Sequence, residues 1–280
     1  MRAGEISLAI EIPAGFAADV ARGRTVEIGA WFDGANPTQS GTVQGYIQGM
    51  HGDWITRKMR EALGSAALAG DFELVTRYRY NPDVKSIVAM VPAVLPMLLL
   101  MIPAILTTLS VAREKELGSI INFYVTPVTR LEFLLGKQLP YMALAMVNFV
   151  LMMVMAVFVF RVPFTGSFIG FSMSALVFVT ASTALGFLVS VFISSQVAAL
   201  FATKLLTMIP AVSYSGLIDP VSSLEGFGRT IGEVYPATWF ITAARGAFSK
   251  SFGFVELIQP TLAMAASVPI ILGLSVSFLK

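Results

Sequence analysis

From residue 86 onward, four long and mostly apolar stretches carry no Asp, Glu, Lys or Arg: residues 86–112, 138–160, 162–203 and 257–279. A run of about 20 apolar residues is enough to cross the hydrocarbon of a bilayer as a helix. The third stretch holds two such runs, joined by a tight connection at Ser194-Ser195-Gln196. The pattern therefore predicts five spanning helices, at residues 84–111, 138–160, 168–193, 197–215 and 257–279. Pro92, Pro96 and Pro103 lie inside the first. Prolines are tolerated in membrane helices, where they release backbone carbonyls and bend the axis.

The first eighty residues alternate on a shorter scale. Residues 5–12 read as a strand. Pro13 opens a helix that Gly23 closes at residue 22. Residues 25–32 read as a second strand ending in the turn signal Asp33-Gly34. Asn36-Pro37 is an N-cap with proline at the first helical position, opening a helix to Leu63 with Gly64 behind it. Residues 72–80 read as a third strand. Tyr80-Asn81-Pro82-Asp83 is a turn cluster and marks the boundary. The expected fold is a small α/β domain over 1–83 followed by a membrane α-helical bundle over 84–280.

Composition agrees. The chain is 56% hydrophobic and 13% charged, with mean hydropathy +0.76. A soluble domain carries nearer about 25% charged residues. The charges are uneven: residues 1–80 hold eight Lys and Arg and nine Asp and Glu, against eleven and eight in the much longer remainder. A net charge of +2 gives no reason to expect nucleic acid binding. The absence of cysteine excludes disulfides, thiolate metal sites and cysteine nucleophiles, and the single histidine, His51, excludes a multi-histidine metal site within one chain.

Between the first two apolar runs lies a charged island, residues 112–137. It contains Arg113-Glu114-Lys115-Glu116-Leu117-Gly118, then Pro127, Arg130, Glu132 and Lys137. Its four Lys and Arg exceed the one in 161–167, and they are denser than the three in 216–256. Positive charge gathers in cytoplasmic loops, so this segment is expected inside. Five spans then place the C-terminus inside and residues 1–83 outside. No basic n-region or apolar h-region opens the chain, so an exported N-terminal domain implies a preceding transmembrane helix. The mixed signs and the helical look of residues 117–125 favour an ordered docking element over a tether. Residues 216–256, with Phe227, Tyr235, Trp239, Phe240 and Phe248, read as short helices in the external membrane interface.

Other motifs carry little. No G-x-x-x-x-G-K-[ST] occurs, so the chain has no P-loop for nucleotide phosphates. Gly170-Phe171-Ser172-Met173 fits a loose intramembrane serine protease pattern, but His51, the only candidate histidine base, lies in the soluble domain. Small residues packing helices explain that pattern better. Lys204 is the one charge within an apolar span. It is a candidate for a transport pathway, together with Asn148, although its long stem can also reach the interface.

Val111-Ala112-Arg113-Glu114-Lys115-Glu116-Leu117-Gly118-Ser119, then Tyr124-Val125-Thr126-Pro127, then Arg130-Leu131-Glu132-Phe133-Leu134-Leu135-Gly136-Lys137, resemble the cytoplasmic segment of ABC-2 type transporter permeases. Ile12-Pro13-Ala14-Gly15-Phe16, Arg22-Gly23, Asp33-Gly34 and Arg79-Tyr80-Asn81-Pro82 are similar to the family's extracytoplasmic domain. Tyr214-Ser215-Gly216-Leu217-Ile218-Asp219-Pro220 and Tyr235-Pro236 are similar to its last external loop. Within the family the likeness is nearest to the C-terminal membrane part of ribosome-associated ATPase-type ABC proteins.

The resemblance implies six membrane helices in an intact domain, with the external domain after the first, and so again a helix before residue 1. It implies a bacterial inner-membrane exporter in which ATP, with Mg, binds a nucleotide-binding domain, fused or separate. A second permease half would complete the pathway. Arg113, Glu114, Lys115, Glu116, Gly118, Pro127, Arg130, Glu132 and Lys137 would form the segment coupled to the ATPase, with Glu114 and Glu116 in contact with it. The alternative implied by the subgroup is a membrane anchor holding an ATPase near the ribosome.

Overall fold

The computed structural model describes residues 6–22, 26–35, 37–63, 74–83, 85–118, 129–218 and 220–278. The chain divides into two compact units, Met1–Ala89 and Met90–Lys280.

In the first unit, β1 (Leu8–Glu11), α1 (Phe16–Ala21), β2 (Ile28–Asp33), α2 (Pro37–Leu63) and β3 (Leu74–Arg79) follow in order. The sheet order is β1-β2-β3, with β1 antiparallel and β3 parallel to β2. A parallel neighbour needs a long crossover, and the 27-residue α2 lies within it. Ala30 and Phe32 of β2 and Ala35 beyond it are buried. At Asp33-Gly34 the chain meets the end of β3: Gly34 N–H donates to the Arg79 carbonyl at 2.8 Å. A Cβ at Gly34 would stand 2.8 Å from that same oxygen, so only glycine fits. Asn81, buried, receives the Lys85 N–H and donates to the Lys85 carbonyl, both at 3.0 Å, closing the turn before the next helix. Lys85 also holds the Asp83 carboxyl below its ordinary pKa through a hydrogen bond and its charge. The Asn36, Gly23 and Gly64 signals lie outside the described residues.

The remaining helices are α3 (Ser86–Glu116), α4 (Arg130–Val154, continued by one wide turn over Met155–Val159), α5 (Phe168–Phe192), α6 (Gln196–Ser213), α7 (Gly226–Val234), α8 (Pro236–Ser249) and α9 (Phe254–Phe278). Among the described residues, five helices are long and apolar enough to cross a membrane: α3, α4 with its extension, α5, α6 and α9. α5 is the centre of this unit, with most of its residues buried. The helices meet through small residues, as membrane helices do without a hydrophobic drive between them. Ser182 Oγ donates to the Leu100 carbonyl at 2.5 Å, joining α5 to α3. At the α5–α9 contact, a Cβ on Gly170 would lie 3.0 Å from Leu257 Cδ1 and 3.3 Å from Phe254 Cα. Gly170 of the protease-like pattern thus serves the approach of α5 and α9.

Hydrogen bonds sort the connections to two ends. The α4–α5 turn is tied to the α8–α9 connection: Gly166 N–H donates to the Ala247 carbonyl at 2.8 Å and Ser167 N–H to the Phe252 carbonyl at 2.9 Å. Residues 160–167 and 246–252 therefore share one end. The charged ends of α3 and α4 gather with the α5–α6 corner at the other.

The segment between α6 and α9 has two different helices. α7 leaves Phe227 and Val234 exposed. α8 is buried along most of its length, through Ala237, Phe240, Ile241, Ala243, Ala244, Ala247 and Phe248. Its small residues admit it against α5 and α9, and Phe240 stacks on Phe178 with ring centroids 4.2 Å apart.

Candidate functional site

α3 does not stop where its apolar run ends at Ala112. Arg113, Glu114, Lys115 and Glu116 are good helix formers, and the two cations suit a helix C-terminus. They form its last turn. Gly118 then takes φ +71°, a left-handed conformation that suits glycine, and ends the helix. The helical stretch expected at 117–125 therefore begins instead as a turn at Leu117-Gly118, and residues 119–128, including Pro127, lie outside the described residues. α4 starts with a capping box: Glu132 N–H donates to Thr129 Oγ1 at 3.3 Å, and Thr129 N–H donates to Glu132 Oε2 at 2.8 Å.

Successive residues on a helix point about 100° apart. Three consecutive charges at the end of α3 therefore reach three different neighbours. Glu114 pairs with Lys137 on α4 at 2.6 Å. Lys115 Nζ donates to the Ser190 and Val191 carbonyls at the end of α5, at 2.7 and 2.8 Å. Glu116 Oε2 accepts from the backbone N–H and the side-chain amide of Gln196, the first residue of α6, at 3.0 and 3.1 Å. Lys137 also donates to the Ser110 carbonyl at 3.3 Å and lies 5.4 Å from the Phe133 ring. Directly beneath, Val111, Leu134 and Phe187 are fully buried together, with Phe133, Val191, Leu272 and Val276 packed around them.

A polar layer lies deeper. Thr108 Oγ1 donates to the Gly186 carbonyl at 2.8 Å and accepts from Thr203 Oγ1 at 3.0 Å. Gln138 Nε2 donates to the Thr180 carbonyl at 3.1 Å and to Thr183 Oγ1 at 2.9 Å. These bonds join α3, α4, α5 and α6.

Of the residues singled out in the sequence, Glu114, Lys115, Glu116 and Lys137 are brought together in this cluster. Arg113 and Arg130 are exposed beside it, and Glu132 caps α4. Asn148 lies on α4 with its Nδ2 buried and without a hydrogen-bond partner among the described residues. Lys204 lies on the exposed face of α6, and no interaction among the described residues joins it to Asn148. The sequence reading missed Ser190, Val191 and Gln196. Their only signal was the tight Ser194-Ser195-Gln196 connection.

The opposite end carries its own anchors. Arg245 of α8 donates from both terminal nitrogens to the Gly216 and Leu217 carbonyls, at 2.9 and 3.0 Å. Tyr235 O–H donates to the Thr207 carbonyl at 3.0 Å, and burial pushes its phenol pKa well up. Among the described residues no group of three or more His, Asp or Glu is placed to hold a metal.

Residues 1–277 match the family described as ABC-2 family transporter protein. The chain belongs to the ABC-2 transporter permease family. Among its curated relatives, the "Probable multidrug ABC transporter permease YbhS" of Escherichia coli (strain K12) is 29% identical over 276 residues, covering 98% of this chain and 73% of the relative. The "Probable multidrug ABC transporter permease YbhR" of the same organism is 25% identical over 243 residues, covering 87% and 65%. Its "Inner membrane transport permease YhhJ" is 27% identical over 262 residues, covering 92% and 68%. No solved structure matches the chain. In this ABC-2 permease, Glu114, Lys115, Glu116 and Lys137 of the charged cluster lie within the charged island of residues 112–137.

Proposed function

We propose that this chain is the membrane-spanning part of an ATP-driven ABC-2 exporter, and that the end of the bundle bearing Arg113–Glu116 faces the nucleotide-binding domains. The observation that carries the reading is the convergence of α3, α4, α5 and α6 on one charged cluster. A push delivered at that cluster reaches four helices at once. The excess of Lys and Arg in residues 112–137 supports a cytoplasmic position for it. The unit containing the sheet, counted in the sequence as residues 1–83, then lies outside an inner membrane.

In this account ATP and Mg bind a nucleotide-binding domain on a fused or separate polypeptide, and two permease halves line one pathway. Arg113, Arg130 and residues 117–129, including Gly118 and Pro127, form the face that docks the ATPase. Glu114, Lys115, Glu116 and Lys137 hold the helix ends behind it. The relatives named as multidrug permeases support an amphiphilic cargo, and Asn148 and Lys204 are the candidate polar groups along its route. The alternative of a ribosome-docked anchor draws no support from relatives named as permeases.

Reconstitution tests this directly. Proteoliposomes holding the complete permease and its ATPase should move a fluorescent amphiphilic drug only with ATP and Mg. Arg113→Glu with Arg130→Glu should release the ATPase in detergent while leaving the permease folded. Drug movement without ATP, or undiminished ATPase binding by the double variant, would contradict the reading.

A further inference from the structure

We infer that Lys115 and Glu116 are positioning residues that carry movement of the α3 end to the α5–α6 corner, separately from any contact with the ATPase. The inference deepens the coupling reading above and rests on it. Every α-helix leaves its first N–H and last C=O groups without partners of its own. Here two adjacent side chains of α3 serve both. The Lys115 ammonium binds the last carbonyls of α5, and the Glu116 carboxylate binds the first N–H of α6. The signs suit the helix dipoles: a cation at a C-terminus and an anion at an N-terminus.

Two further observations make this more than a surface contact. Ser195 sits at the N-cap of α6, the position where serine usually bonds its own helix, yet its side chain makes no capping bond. The cap is supplied from α3 instead. The connection itself, residues 193–195, is short, and Ile193 and Ser195 are already extended at φ −126°, ψ 131° and φ −93°, ψ 132°. An extended chain gains no further length, at most about 3.3–3.6 Å per residue, so the corner has little slack. Deeper in, Thr108 bridges the Gly186 carbonyl of α5 and Thr203 of α6. The end of α3 is thus tied to the same two helices at two depths, and a displacement of that end is passed to both.

The test uses the complete transporter in proteoliposomes. Lys115→Met with Glu116→Ala should keep the ATPase bound and hydrolysing while transport per ATP falls at least tenfold. Lys115→Arg in place of Lys115→Met should restore much of it, since a guanidinium also donates to two carbonyls. Spin labels at Leu117→Cys and Ser194→Cys, both on exposed positions of a cysteine-free chain, read the corner itself. Their separation should stay constant between ATP-free and ATP-trapped states in the parent and diverge in the double variant. A purely structural role would lower yield and melting temperature yet leave transport per ATP unchanged in the assembled fraction, which would overturn the inference. Loss of the ATPase from the double variant would also overturn it, by making the pair a docking contact. If the parent itself shows no ATP-dependent transport, the coupling reading fails and this inference with it. If the parent transports and the variant matches it, this inference alone fails.

Discussion

Gly186 on α5 meets Thr107 on α3 so closely that a Cβ at 186 would stand 2.0 Å from Thr107 Oγ1 and 2.4 Å from the Ala104 carbonyl oxygen. Thr107 could turn aside, but the backbone oxygen of Ala104 cannot without moving α3. The α3–α5 contact depends on that missing side chain, and with it the charged cluster, which lies about one turn further along α5 at Ser190 and about two turns further along α3 at Glu114–Glu116. Gly186→Ala should therefore destabilise the protein in detergent by about 1–3 kcal/mol, the usual cost of forcing volume into a packed core. Gly273 on α9 has open space around its position, so Gly273→Ala is the control and should not lower the melting temperature. Comparison of the two thermal melts checks this. Equal melting temperatures would show that the helices do not approach as described.

Gln138→Leu should weaken the α4–α5 contact. The amide is buried and donates to the Thr180 carbonyl and to Thr183 Oγ1. Hydrogen bonds between membrane helices average about 0.6 kcal/mol, so the two together suggest a loss of about 1 kcal/mol. Denaturant titration in mixed micelles measures it, and a gain in stability would show that burying the amide costs more than its bonds return.

Arg245 should hold the loop that follows α6. Its planar fork spans the Gly216 and Leu217 carbonyls together, a geometry lysine cannot reproduce. A cysteine at Ile218, exposed in the parent, should react with a maleimide several-fold faster in an Arg245→Lys background. An unchanged rate would mean the loop is held by other contacts.

The absence of cysteine makes topology directly testable. Single cysteines at Leu117 and at Phe227, both exposed, should react with an impermeant reagent from opposite sides of the membrane. Labelling of both from outside would contradict the five-span arrangement.

The sequence displayed the spans because uncharged runs of that length have few other uses. It displayed the strand and turn pattern of the first unit for a similar reason, since turn residues punctuate it. What it concealed was partnership. The charges at 114–116 read as part of a docking element facing outward, whereas their partners lie on three other helices, up to eighty positions away at Gln196. No local periodicity encodes such a pairing. The residues of α8 likewise read as interfacial from Trp239 and Tyr235. Their rings do find polar partners, at the Glu233 and Thr207 carbonyls. The small residues Ala243, Ala244, Gly246 and Ala247 were the signal that this helix could enter the bundle.

The Glu114–Lys137 pair tests the proposed coupling of the charged end of the bundle to ATP hydrolysis. Both side chains are partly withdrawn from water, at 34% and 20% exposure, and sit 2.6 Å apart. In the reconstituted complete transporter, the number of drug molecules moved per ATP should fall sharply in Glu114→Lys and in Lys137→Glu, because each leaves like charges facing one another. The exchanged pair, carrying both substitutions, should recover a large part of the loss. Full coupling in either single variant, or no recovery in the exchanged pair, would contradict the account.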